Sequence, residues 1–154
     1  MNTKTLGIIK LQTLALIGGL LLAISLPAAA QDEYPYKQGS YWEVTGIHVN
    51  DGAALKYANH LATKWTSAME YGRQQGWTKS YHVLSNEYPR KGEPDLYLIR
   101  IFDVMPDAAE NEKRAKAWRE HMKTTIKQLN EESGDRAEYR TVGSNVLLRE
   151  MIIR

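Results

Sequence analysis

The segment from Asp95 to Val104 limits the fold more than any other part of the chain. Leu96, Tyr97, Leu98, Ile99, Ile101 and Phe102 run almost without a polar break. A run this short, entered from the charged loop Pro89–Pro94, is a strand that needs cover on both faces. Tyr41–Val49 reads as a second strand of the same kind, β-rich and loosely alternating.

Helices surround these strands in the pattern. Asn50-Asp51-Gly52 is a turn whose Asn or Asp can cap a helix by accepting its free amides. Leu55, Ala58, Leu61, Ala62, Trp65, Ala68 and Met69 recur at three- and four-residue spacing, giving one apolar stripe up to about Gln75. Lys56, His60, Lys64 and Ser67 occupy the opposite side, and Gly76 supplies the stop. Trp77–Tyr88 is a further strand. Pro106 suits a first helical turn, and Asp107 and Glu110 place negative charge at the positive end of the helix dipole. That helix is expected to run to about Glu132, with Ala115, Trp118, Met122, Ile126 and Leu129 as its stripe, and to end at Ser133-Gly134. Val146–Ile153 is a last strand, preceded by an extended piece around Tyr139–Val142.

The order β-α-β-β-α-β predicts an α+β fold: a ferredoxin-like sandwich, a four-stranded antiparallel sheet with two helices on one face. A faint repeat runs behind it. Val49 and Ala53-Ala54 recur 55 positions later as Val104 and Ala108-Ala109.

Ahead of this domain stands an export signal. Lys4 and Lys10 precede an apolar run from Leu14 to Leu26, Pro27 stops it, and Ala28-Ala29-Ala30 offers small side chains for cleavage after Ala30. The run is short against the roughly 20 residues of a membrane-spanning helix, so no stable membrane anchor is expected after cleavage. The expected location is periplasmic or secreted. The predicted organisation is a signal at 1–30, an extended arm at 31–40 and one domain at 41–154.

Cleavage changes the charge argument. The whole chain has 20 basic and 18 acidic residues, and both charges of the signal are lysines, so the remainder is formally neutral. The pI of about 8.7 is largely a property of the signal, and no nucleic-acid partner is expected of a chain without a clustered basic excess. The sequence has no cysteine, which excludes disulfides, thiol chemistry and cysteine metal sites.

Helices on one side leave the other sheet face in need of cover. One face carries Trp42, Val44, Gly46, Tyr97, Ile99 and Ile101; the other carries Tyr41, Ile47, Val49, Leu96, Leu98, Phe102 and Val104. Both are apolar, and a soluble monomer does not leave such a face in water. A homodimer through the sheet face is the expected cover. Gly46 is expected to mark the face that a helix backbone approaches, which assigns the opposite face to the dimer.

The arrangement resembles the dimeric α+β-barrel superfamily, in which two ferredoxin-like subunits pair through their sheets. More narrowly, Tyr41-Trp42-Glu43-Val44-Thr45, Lys56-Tyr57-Ala58-Asn59-His60-Leu61 and Gly92-Glu93-Pro94-Asp95-Leu96-Tyr97-Leu98 look like stretches of a group of small exported bacterial proteins of unknown function. The resemblance spans about Tyr41–Ile152 and implies fold and pairing. Its superfamily includes cofactor-free oxygenases, haem enzymes, isomerases and binding proteins, so it does not select an activity.

Three sets of residues are candidates for a site. Glu43, Thr45 and Arg100 fall in central strands on one face, where a charge must be paired; they read as a register-fixing ion pair or as an anchor for an anionic ligand held by Arg100. His48 and Asp103 correspond through the 55-residue offset, and a carboxylate beside an imidazole suits acid–base work. His121 borders the second helical stripe. Some haem-binding members of the superfamily use a histidine on that helix, which makes it the one haem-ligand candidate; no cofactor is otherwise expected. His60 reads as a solvated surface residue, and Trp65 and Trp118 as core. Phosphate loops, His-Glu-x-x-His patterns and nucleophile elbows are absent from the sequence. The expected function is an exported dimer that binds a small molecule or a partner protein, with a small oxygenase-like or haem enzyme as the alternative.

Overall fold

A computed structural model describes residues 34–154. The expected export signal, its expected cleavage point and the start of the expected arm lie outside the described residues. Four strands form one antiparallel sheet: β1 (Tyr36–Val49), β2 (Ser80–Ser85), β3 (Leu96–Phe102) and β4 (Arg140–Ile153). Their order across the sheet is β2-β3-β1-β4. The two central strands are therefore β1 and β3, the segments with apolar residues on both faces. The α+β class and the four-stranded antiparallel sheet hold, and the order is compatible with a ferredoxin-like fold.

Two strands are longer than their alternation suggests. β1 begins at Tyr36, inside the expected arm, because Tyr36 to Gln38 pair with Ile153 to Met151 of β4. β4 is one 14-residue strand, and it absorbs the separate extended piece. The register shifts between Gly46 and Ile47, which leaves Gly143 as an extra residue opposite them. β2 is shorter than expected: Trp77 and Thr78 instead close the preceding helix, their amides donating to the Gly72 carbonyl at 2.8 and 3.1 Å.

The first helix is continuous but not uniform. α1 (Ala54–His60) passes into a π turn (Leu61–Trp65) and then into α2 (Thr66–Gln74). Two threonine hydroxyls act on that stretch: Thr63 donates to the Asn59 carbonyl at 2.7 Å and Thr66 to the Leu61 carbonyl at 2.8 Å. Such hydroxyls compete with backbone amides for their carbonyls, and the wider π geometry shares the acceptors. Asn50 and Asp51 do not cap α1: its N-cap is Ala53, and the Asn50 side-chain amide donates to the Glu138 carbonyl at 2.9 Å.

The second helix is two helices. α3 (Ala108–His121) is capped by Asp107, whose carboxylate accepts from the Glu110 amide. It stops because Lys123 turns to φ 51°, with its amide on the Glu120 carbonyl and that of Thr124 on the Arg119 carbonyl, a left-handed helix end. α4 (Ile126–Ala137) restarts at a Thr125–Gln128 capping box. Ser133 and Gly134 lie inside α4 and do not end it.

The core is small and divided between the two sheet faces, with Ile99 and Ile101 buried on the Trp42 side. Ile47, Tyr57 and Leu61 are buried together, with Val49, Trp65, Leu96, Leu98 and Tyr139 packed against them. The helices thus cover the face of Ile47, Leu96 and Leu98. This reverses the expectation drawn from Gly46, which sits on the other face. A Cβ at Gly46 would lie 2.5 Å from Pro94 Cγ and 2.6 Å from Ser144 Oγ, so its bareness accommodates the loop before β3 rather than a helix.

Lys123 is a non-glycine residue at positive φ, a conformation that disfavours a side chain. Lys123→Gly is expected to raise stability by about 0.5–1 kcal/mol, measurable as a higher urea midpoint with an unchanged slope.

Candidate functional site

The β1–β3 register places Glu43 directly opposite Arg100. Arg100 Nε donates to Glu43 Oε2 at 2.9 Å, and Nη2 lies 2.8 Å from the same oxygen in an ion pair. The guanidinium also lies over the Phe102 ring at 4.8 Å. Each side chain keeps over a third of its surface in solvent, so the pair contributes on the order of 1 kcal/mol or less. Nη1 and Glu43 Oε1 take no part in it. Thr45, two residues along, donates to Asn145 of β4 at 3.4 Å.

This group lies on the helix-covered face, which overturns its assignment to a dimer interface. The physical reason is the Gly46 inversion: odd-numbered β1 side chains point toward the helices. Arg100 consequently stands at the floor of a cleft. A hollow of about 320 Å³ runs from Arg100 and Phe102 under α2 and α3, with Met69, Trp77 and Trp118 among its walls. A second, about 240 Å³, lies over Glu43, Thr45 and Arg100 beneath Trp65. A third, about 220 Å³, joins Glu43 and Arg100 to Asn145 and Leu147. Arg114 adds a cation at the rim: its guanidinium lies 5.4 Å from the Trp77 ring and holds Glu110 at 2.7 Å.

His48 and Asp103 do not meet. β1 and β3 are antiparallel, so positions equivalent in the two βα units lie at opposite ends of the sheet. Asp103 instead accepts from the buried Ser40 hydroxyl at 2.6 Å and from Lys79 at 3.2 Å. Those two bonds, Ser40 first, hold its carboxyl below the usual range. His48 packs over the bulge residue Gly143, where a Cβ would strike its ring. His121 is exposed and stacks on Tyr71, ring centres 4.0 Å apart; it lines none of the hollows described here. Among the described residues, no group of three histidine, aspartate or glutamate side chains is placed to hold a metal ion.

His60 is less exposed than its helical position implies. It is half-buried, its ring 5.9 Å from that of Tyr57, and it borders a hollow between the π turn and α4. Burial first, then Arg136, Arg140 and Lys64, lower its proton affinity, while Glu132 acts in the opposite direction. Sequence periodicity could not find this, because α4 reaches His60 only after the break at Lys123. Trp65 and Trp118 read as core from helical spacing alone, and that spacing does not show that they line hollows.

Comparison with protein-family models, curated proteins and solved structures finds no match to this chain.

A histidine whose folded proton affinity is lowered favours the unfolded chain once it is protonated. Stability is therefore expected to fall as pH drops through the ordinary histidine value of about 6.5, down to the lower folded value. Glu70, Asp103 and Glu110, whose carboxyls are held low by their hydrogen bonds, weaken the fold only in the more acidic carboxylate range. Urea midpoints between pH 7.5 and 5 should decline in the wild type and decline less in His60→Gln.

Proposed function

We propose that this chain is an exported, homodimeric domain of the ferredoxin-like, dimeric α+β-barrel kind that binds a small organic anion in the cleft between sheet and helices. The observation that carries the binding reading is the convergence of three hollows on Arg100. The guanidinium is oriented by Glu43, keeps one edge outside that pair, and is walled by Met69, Trp77 and Phe102. A fixed planar cation in an apolar-walled cleft suits a carboxylate with an apolar tail. The strand order and the alternation of helices and strands support the fold family; the lysine-led apolar N-terminus supports export.

The sheet face that no described helix covers supports the dimer, now through Trp42 rather than Glu43. Trp42, Val44, Ile99, Ile101, Val146 and Leu148 share that face through the β1 registers. Val146 and Leu148 stay 43% and 51% exposed, and Leu84 on β2 50%. Asp103 and Glu150 stand together at one end of this face, both accepting from Ser40. An apolar centre with a polar rim is the composition of an interface, and a two-fold pairing of identical sheets covers it without any other partner.

Two measurements test these proposals. Hexanoate or octanoate should raise the melting temperature of the wild type saturably, and Arg100→Gln should abolish the rise; an equal rise in the variant would remove Arg100 from binding. Light scattering should give twice the chain mass for the wild type and the single mass for Leu148→Glu, a substitution at a half-exposed position. A wild-type monomer would sink the dimer.

A further inference from the structure

We infer that the hollow between the π turn and α4 is a second binding site, specific for a small aromatic monocarboxylate and separate from the Arg100 cleft. Its volume is about 220 Å³, below the roughly 300 Å³ where pockets for drug-sized ligands begin, so it admits a single ring and an acid group. Trp65, Trp118, Met122 and Leu129 supply the apolar walls. Trp118 and Ala68 also border the larger hollow under α2 and α3, so these two side chains form the partition between the sites.

The polar side of the hollow is unbalanced. Lys64, Arg136 and His60 border it, with Glu132 as the one carboxylate. Both oxygens of that carboxylate are engaged: Oε1 by Lys64, and Oε2 by Arg136 Nη1 at 3.7 Å. Arg140, which also acts on His60, has a buried Nε without a hydrogen-bond partner. Two permanent cations, Lys64 and Arg136, thus share one carboxylate at the hollow, with the positive charge of Arg140 felt at His60 beside it. A second carboxylate is the charge this arrangement accommodates, and a flat ring suits a hollow whose lining includes two indoles. The π turn strengthens the assignment, since such turns recur where helices build functional sites; here it carries Lys64 and Trp65 to the hollow together.

His60 is the natural reporter. Its proton affinity is lowered by burial and by Arg136, Arg140 and Lys64, and an anion bound among those cations must raise it. The test follows the His60 ring by NMR while phenylacetate, phenylacetamide or acetate is titrated into the purified protein. Phenylacetate should shift the ring saturably and move its titration to higher pH. Phenylacetamide, lacking the charge, and acetate, lacking the ring, should bind more weakly by roughly ten- to a hundredfold. Lys64→Gln and Arg136→Gln should each weaken phenylacetate, and each leaves Glu132 with one cation. Arg100→Gln should leave the phenylacetate-dependent shift of the His60 ring unchanged, which separates this site from the proposed cleft. The inference is overturned if phenylacetate produces no saturable shift, if phenylacetamide binds equally well, or if Arg100→Gln abolishes the effect while the Lys64 and Arg136 variants keep it.

Discussion

The antiparallel pairing of β1 with β3 is the constraint on which the rest of this structure depends. It puts Glu43 against Arg100, Tyr41 against Phe102 and Trp42 against Ile101, and it divides the central side chains between two environments. On one side lie the ion pair, Thr45 and the helix-packed Ile47. On the other lies an apolar surface that no helix among the described residues covers. Phe102 is buried, stacked on Tyr41 at 5.4 Å, and Arg149 lies 3.8 Å over the Tyr41 ring. A slip of one residue would exchange these faces, exposing Ile47 and turning Glu43 into the apolar surface. The cross-strand pair matters for register more than for energy, because half-exposed charges contribute little.

The composition of the faces was legible in the sequence, and the neighbours across them were not. Alternation assigns each residue of a strand to a face whichever way its partner runs. The 55-residue offset therefore sorted Trp42, Val44, Ile99 and Ile101 together. It failed for His48 and Asp103, because equivalence in a repeat is not adjacency in an antiparallel sheet. The choice of which face the helices cover also lay beyond pattern. It rested on Gly46, and a bare strand position accommodates any close neighbour, here Pro94 and Ser144. The proline and the helix make the same demand on the glycine.

The helices show the same limit in another form. Ala115, Trp118, Met122, Ile126 and Leu129 keep helical spacing across a segment that is not one helix. Periodicity is insensitive to a break that realigns the stripe, and only the left-handed Lys123 and the Thr125–Gln128 box reveal it. The π turn is equally silent, since Thr63 and Thr66 are ordinary surface residues until their hydroxyls find carbonyls. Both irregularities fall where α1, α3 and α4 meet. Without the break, α4 could not bring Glu132 and Arg136 against His60 and Lys64, so the hollow there is a product of the two local departures from ideal helix.

The division of labour across the sheet follows from how little the helices bury. None of the residues of α3 or α4 is buried, and the central cluster consists of a few side chains around Ile47. Hydrophobic stabilisation scales with the apolar area removed from water, at roughly 25 cal/mol per Å². A thin helical layer over a cleft therefore leaves the fold short of burial on that side. The opposite face, with Val146 and Leu148 about half in water, is where further burial is available. Pairing that face would stabilise the subunit while leaving the Arg100 cleft and the π-turn hollow open to solvent. Closing the helices onto the sheet would gain similar area but fill both. In the proposed dimer, a loosely packed helical layer and an apolar sheet face that no described helix covers are thus two sides of one solution: stability is supplied at one face so that the other can remain hollow.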